Sequence, residues 1–303
     1  MYDIIIIGAG PAGLTSAVYA GRADKSVLIL ERETFGGQIT HSPRVENYPG
    51  FIQMSGNEFA DKLVEQAMAQ GAEIELDTAA SIEKKDGFFS VHGERAAYEG
   101  KSVIIATGSA HRRLNLPKED KFTGEGVSYC AVCDGAFYND KDIAVIGGGN
   151  SALQEAVLLS KNCKSVTVIQ NLAFLTGETK LVQELEKKDN VSFIYSSVVT
   201  ELLGDDVFEG IRIRNTETEE ETSLNFDGIF VAIGQQPMNE PFRNSVKLND
   251  WGYIVADESC VPESENGIFV AGDCRSKRVR QIATAISDGA VAALAACSYI
   301  DNL

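Results

Sequence analysis

The chain has 303 residues and a mass of 32.7 kDa, room for about two domains. Its 44 acidic residues against 27 basic ones leave a net charge of −17, an envelope that repels phosphate backbones and argues against nucleic acid as a partner. Six cysteines are too few for a disulfide scaffold, and no stretch approaches the roughly 18 uninterrupted apolar residues of a membrane span, so a cytoplasmic protein without a membrane partner is expected.

Residues 2–7 form a continuous apolar run, the pattern of a strand buried on both faces. Gly8-Ala9-Gly10-Pro11-Ala12-Gly13 follows, then a predicted helix over 11–23 and a second apolar strand over 27–30 that ends at Glu31. A short strand over 102–106 leads into Thr107-Gly108. The first pattern then recurs: a strand over 142–146, the turn Gly147-Gly148-Gly149-Asn150-Ser151-Ala152, a helix over 153–162 and a strand over 166–169. A strand over 229–233 ends in Gly234. A last one, over 267–271, runs into Gly272-Asp273 and a helix of small residues over 281–296. Residues 216–222, with four glutamates, read as a solvated hairpin tip.

Strands alternating with helices indicate an α/β fold with largely parallel sheets. The simplest topology has two Rossmann-like dinucleotide-binding domains, the second inserted into the first. Residues 1–113 and 244–303 would form the discontinuous domain, and 114–243 the insert.

The two glycine turns differ in equipment. A Gly-x-Gly-x-x-Gly turn lets backbone approach a pyrophosphate and aims a helix N-terminus at it. Gly8, Gly10 and Gly13 have this spacing between strand and helix, and Glu31 ends the next strand, where a carboxylate can take ribose hydroxyls. In the second turn Ala152 replaces the third glycine. Its next strand ends in Gln170-Asn171, with neither an acid for a ribose diol nor an arginine for a 2′-phosphate.

Cys130-Ala131-Val132-Cys133 is followed by Asp134. Two cysteines at this spacing suit thiol–disulfide exchange, where one thiolate attacks and its neighbour resolves the mixed disulfide. A zinc site would need two more ligands, and the remaining cysteines are scattered singly beside only three histidines, so no metal is expected. Asp134 is placed to exchange a proton with the pair, or to serve the turn before Gly135. Cys163, Cys260, Cys274 and Cys297 read as small buried hydrophobes.

These motifs occur in order with Gly36-Gly37-Gln38, Glu46-Asn47-Tyr48-Pro49-Gly50, Ala106-Thr107-Gly108, Gly272-Asp273 and Arg280-Gln281. Together they resemble the low-molecular-weight flavoprotein thioredoxin reductases over essentially the whole chain. The resemblance implies FAD in the discontinuous domain, a redox dithiol in the insert, thioredoxin as substrate and a homodimer. It implies that residues 8–13, with Pro11 and Ala12 among them, hold the FAD pyrophosphate and that Asp273 holds its ribityl and phosphate region. Gln38 and Asn47 would flank the flavin and Gln281 lie near its ring. Gly37, Ala106, Thr107, Gly108, Gly272 and Arg280 would complete the cofactor site. Cys133 would face the flavin, Cys130 attack thioredoxin and Asp134 donate the proton.

Members of that family follow the second strand with His-Arg-Arg and a further Arg for the 2′-phosphate, whereas this chain has Gln170-Asn171-Leu172-Ala173-Phe174-Leu175-Thr176. Without bidentate arginines little offsets desolvation of a 2′-phosphate. The pattern is similar to ferredoxin-dependent relatives, so reduced ferredoxin is the expected electron donor. NADPH or NADH at an atypical site, a related small dithiol protein as substrate, and a non-enzymatic flavin redox sensor remain as alternatives. Arg275, Lys277, Arg278 and Arg280, with Arg112 and Arg113, are expected to form basic docking spots for an acidic carrier. Segments 114–117 and 238–241 are expected hinges of a domain rotation.

Overall fold

The computed structural model describes residues 1–42, 45–263 and 266–303, with the side chain of His41 left outside that description. It contains two compact units, Met1–Ala110 with Gln236–Leu303, and His111–Gln235.

In the first unit, Tyr2–Ile7 pairs in parallel with Val27–Glu31 on one side and Ala97–Ile105 on the other. Glu73–Leu76 extends the sheet beyond Val27–Glu31. The far edge of Ala97–Ile105 is shared: Phe88–Gly93 takes its first half in antiparallel register, and Ile268–Val270 takes its last three residues in parallel. Ala79–Lys85 closes the seven-stranded sheet as a hairpin with Phe88–Gly93. That antiparallel hairpin departs from the largely parallel sheet expected. The apolar run of the first strand is explained by burial on both faces. Ile4, Ile6, Ile29 and Ile104 pack under the helices, while Ile5, Ile7, Leu28 and Leu30 meet Phe89, Phe242 and Ile254.

The helices Pro11–Arg22 and Ile282–Asp301 lie backbone to backbone on this sheet. A side chain at Gly289 would place its Cβ 2.3 Å from the Ala12 carbonyl oxygen, and the Ser16 hydroxyl donates to the Gly289 carbonyl at 3.0 Å. Ile282–Asp301 is long and apolar enough by length and composition to cross a membrane. It buries Ala285, Gly289, Ala292, Ala293 and Ala296, and its Asp288 sits in a buried ion cluster, as suits a core helix.

In the second unit, five parallel strands run in the order Val191–Ile194, Ser165–Ile169, Asp142–Ile146, Gly228–Val231 and Val127–Ser128. A three-stranded antiparallel sheet, Ser197–Leu203, Gly210–Asn215 and Glu221–Asn225, sits beside them, and its last hairpin carries the expected glutamate-rich tip. The helix after the second glycine turn is Asn150–Leu159, starting three residues before the expected position.

The unit boundaries fall at 110/111 and 235/236 rather than 113/114 and 243/244. Two buried polar residues explain the shift. The Glu119 carboxylate, 2% exposed, accepts the N–H groups of Leu114, Asn115 and Leu116 and fixes that stretch in the second unit. Asn239, fully buried, accepts from the Thr107 hydroxyl and donates to the Gly252 and Cys274 carbonyls, fixing its stretch in the first. Both stretches expected to hinge are therefore tied by several hydrogen bonds each.

Candidate active site

The first glycine turn opens onto a cleft of about 170 Å3 lined by Gly8, Gly10, Pro11, Ala12, Glu31 and Arg32. Gly37, Gln38, Ala106, Thr107, Gly108 and Asp273 line it too. A second cleft of about 170 Å3 adjoins it, sharing Gly8, Glu31, Arg32, Thr107 and Met238. The space is thus elongated, as a dinucleotide requires.

The turn leaves no room for side chains. Gly8 has φ +110°, and a Cβ there would lie 2.4 Å from the Ala106 carbonyl oxygen. A Cβ at Gly13 would lie 1.9 Å from the Gly8 carbonyl oxygen. Gly10 caps the helix Pro11–Arg22 without a side-chain acceptor, so the helix N-terminus is presented bare to the cleft. Glu31 braces this turn: its carboxylate accepts the N–H of Ala9 at 2.8 Å and of Glu33 at 2.9 Å. Two buried polar atoms, Asp273 Oδ1 and Arg280 Nε, lack partners among the described residues. Burial pushes the Asp273 carboxyl up to about 6, against the pull of Lys277 and Arg280. A cradle that a Cβ would fill, a bare helix N-terminus and an orphaned polar atom of Asp273 at the wall fit a pyrophosphate-linked cofactor.

Other expected site residues stand outside the lining. The Asn47 amide donates to Gln281 Oε1 at 3.2 Å, so these two are brought together. Gly272 donates its N–H to Asp288. The Arg280 guanidinium lies 4.3 Å from the Tyr253 ring centroid. Sequence reasoning missed Arg32, Glu33, Thr34, Met238 and Ala285, which also line the first cleft. Arg32 to Thr34 directly follow Glu31, and that adjacency was the available signal. Met238 carries none, because it arrives from beyond the inserted unit.

The expected basic cluster is not a surface patch. Arg275 is 1% exposed and bonds Asp288 through Nε and Nη2, at 2.8 and 2.9 Å, with Glu258 as a further partner. Lys277 Nζ reaches the same Asp288 at 2.9 Å. Of the four cations only Arg278 is exposed, and Arg113 is paired with Asp120. Asp288 resolves the misreading, since one buried carboxylate neutralises two neighbouring cations. Its own burial would raise its pKa, but Arg275 and Lys277 hold it below the usual carboxylate range. A depressed carboxyl stabilises the fold above its unfolded pKa and loses that contribution as pH falls through the folded one. Asp288→Ala should cost about 3–5 kcal/mol at neutral pH by stranding two buried cations. The denaturant midpoint measures this; an unshifted midpoint would refute the cluster's structural role.

In the second unit Cys130 and Cys133 form a disulfide across the turn Ala131–Asp134. Both cysteines are partly exposed, and Val132 between them is exposed. The Ser128 hydroxyl donates to Asp134 Oδ2 at 2.7 Å and accepts the Cys130 N–H at 3.2 Å. Asp134 Oδ1 is buried without a partner among the described residues. Burial raises the Asp134 carboxyl while the Ser128 hydroxyl lowers it. Burial prevails, and a carboxyl so raised next to a disulfide can exchange a proton with a sulfur. The four single cysteines are buried, and burial pushes the thiols of Cys163 and Cys274 up to about 11 and Cys260 to about 12, which makes them poor nucleophiles.

The second glycine turn is braced by its own chain, with Asn150 and Ser151 at the start of its helix exposed. The Gly148 carbonyl accepts the N–H groups of Thr176 and Gly177 at 2.9 and 3.0 Å. Buried Gln170 lies against Gly148, where a Cβ would meet its Cδ at 2.6 Å, and its amide is fastened to the Phe174 carbonyl and the Asn171 N–H. Asn150, the first residue of the helix, accepts the Glu178 N–H at 2.7 Å and donates to the Glu178 carboxylate at 3.3 Å. Negative charge is favoured at a helix N-terminus, and the Glu178 carboxylate stands beside the first residue of this one, although its N-cap, Gly149, like Gly10, receives no side-chain cap.

A family model described as pyridine nucleotide-disulphide oxidoreductase matches residues 2–289. The chain is 44% identical to a 34.2 kDa protein in rubredoxin operon of Clostridium pasteurianum, over 98% of this chain and 97% of that one. It is 39% identical to thioredoxin reductase of Listeria monocytogenes, over 100% and 95% of the two chains. The crystal structure of thioredoxin reductase from Streptococcus pyogenes superposes with a TM-score of 0.95 at 40% identity, covering 100% of this chain and 99% of that one.

Proposed function

The chain belongs to the pyridine nucleotide-disulphide oxidoreductase family, and from that premise we propose that it reduces the disulfide of thioredoxin with electrons from a protein carrier of the ferredoxin class. It is a flavin oxidoreductase acting on a disulfide, and its cofactor is FAD. When bound, FAD supplies the conversion between single electrons and the electron pair a disulfide needs. Gly8 to Gly13 give it a bare turn and helix end, and Asp273 offers an unpartnered polar atom.

Exchange itself falls to the second unit. The Cys130 thiolate attacks one sulfur of the thioredoxin disulfide and forms a mixed disulfide. The Cys133 thiolate then displaces thioredoxin and closes the Cys130–Cys133 bond. The enzyme dithiol is oxidised and the substrate disulfide reduced, and the departing sulfurs take up two protons. Asp134, beside the pair and bonded to Ser128, delivers one of them.

The observation that carries the donor reading is the lack of a cation beside the second glycine turn. Thr176 and Gly177 occupy the Gly148 carbonyl, Glu178 stands at the helix N-terminus, and residues 170–179 contain no lysine or arginine. A phosphate approaching there meets a carboxylate of like charge and no cation. The similarity to a protein of a rubredoxin operon also favours a protein carrier. The test is anaerobic bleaching of the flavin by NADPH, NADH and photoreduced ferredoxin in parallel. Fast bleaching by ferredoxin alone, followed by thioredoxin turnover, is the expected result. Rapid bleaching by either nucleotide at micromolar concentration would overturn the donor assignment.

A further inference from the structure

Behind the cysteine pair lies a carboxyl group that this scheme leaves unused. Glu155, on the helix Asn150–Leu159, accepts the backbone N–H of Ala131, the residue that follows Cys130. Its Oε2 is buried and has no partner among the described residues. The elements packed on the same helix contribute Ile143, Val145, Val166, Val168 and Leu185, all buried and apolar, to the core beneath it. The charge that acts on Glu155 is that of Asp134.

Two carboxyls thus lie under one disulfide, each with a buried unpartnered oxygen. Burial and mutual repulsion disfavour ionising both, so the pair retains a proton. Their surroundings decide where it sits. Asp134 receives the Ser128 hydroxyl at 2.7 Å, which favours its charged form. Glu155 has a single amide N–H. Burial pushes Glu155 up to about 8, with the Ala131 N–H opposing and the Asp134 charge adding to the rise.

We propose that Glu155 is a positioning residue for disulfide exchange, a neutral acid that keeps Asp134 ionised at rest and supplies the proton that Asp134 relays to a cysteine. This rests on the reading that Cys130–Cys133 cycles between disulfide and dithiol. In the reductive half, an electron pair from the reduced cofactor breaks the S–S bond. One sulfur leaves as a thiolate and is protonated through Asp134, whose carboxylate takes the proton from Glu155 and hands it on. The other sulfur remains the nucleophilic thiolate, and water returns a proton to the Glu155 carboxylate. Electrons and protons balance: two electrons and one proton enter, and one thiol and one thiolate result.

Glu155→Gln is close to isosteric and keeps an acceptor for the Ala131 N–H. The FAD-loaded protein, reduced with dithiothreitol, is alkylated with iodoacetamide across about pH 6 to 10, the range of buried carboxyls and thiols. Wild type should show a step near pH 8, of about tenfold in rate, that Glu155→Gln lacks. In parallel, the infrared spectrum at neutral pH should contain a carboxylic-acid carbonyl band. That band should persist in Asp134→Asn and vanish in Glu155→Gln. A wild-type pH profile in Glu155→Gln would overturn the proposal, as would loss of the band in Asp134→Asn alone. A uniform loss of reactivity at every pH would mark a purely structural role and overturn it equally. A wild-type pair that dithiothreitol cannot open would instead bring down the cycling itself.

Discussion

Replacing Cys130 by serine should yield a flavin-loaded protein that no longer reduces a protein disulfide. The hydroxyl is a far weaker acid than the thiol, so at neutral pH no anion exists to attack a sulfur. Loss of a covalent nucleophile lowers turnover by at least about a thousandfold. The fold should tolerate the change. Cys130 is the N-cap of the turn Ala131–Asp134, where its sulfur accepts the Cys133 N–H at 3.2 Å. Serine is a preferred residue at that position and can take over the bond. Flavin content should also hold, because the cleft residues all belong to the other unit. The measurement is thioredoxin turnover beside the flavin absorbance of the purified variant. Turnover within tenfold of wild type would remove Cys130 from the exchange step.

Gly13→Ala should have the opposite signature, an intact cysteine pair and an impaired flavin site. The added methyl would meet the Gly8 carbonyl oxygen at 1.9 Å, and backbone cannot yield as a flexible side chain does. Either the helix Pro11–Arg22 moves off the sheet or the turn moves into the cleft. Overpacking of this kind costs about 1–3 kcal/mol, and a loss of that size at the cradle weakens the cofactor by about tenfold to a hundredfold. The flavin-to-protein absorbance ratio after purification, and rebinding of added FAD, measure it. Full flavin content in Gly13→Ala would show that the turn does not bear on the cofactor.

Local chemistry makes much of this site legible in the sequence. Glycines in a turn between apolar strand and helix have few other uses, and a cysteine pair at two-residue spacing among scattered singles stands out. The cleft wall contains Gly8, Gly10, Gln38, Thr107 and Asp273. The features that mislead depend on partners far along the chain. Arg275 and Lys277 look like surface charge beside Arg278, until Asp288 arrives one helix later and buries them. The boundaries depend on Glu119 and Asn239, whose carboxylate and amide bind backbone that no propensity marks. The bracing of the second glycine turn depends on Gln170 and Glu178, polar residues that read as ordinary loop chemistry. Glu155 is silent in the sequence because a glutamate on a helix is expected to face water, and only packing against the Ala131–Asp134 turn buries its carboxyl.

The contact between Gly289 and Ala12 sets an order of events during synthesis. The ribosome releases the glycine turn first, then the whole of residues 111–235, and only afterwards the segment that supplies Asp273, Ala285 and Gly289. The inserted unit has its own sheets and core and can fold while the rest is still being made. The strand Tyr2–Ile7, buried on both faces in the finished protein, must wait with one edge of its sheet and one helix missing. Flavin loading is therefore a late step, after translation of the C-terminal segment. Until then the nascent N-terminal strands expose apolar surface that a chaperone would recognise.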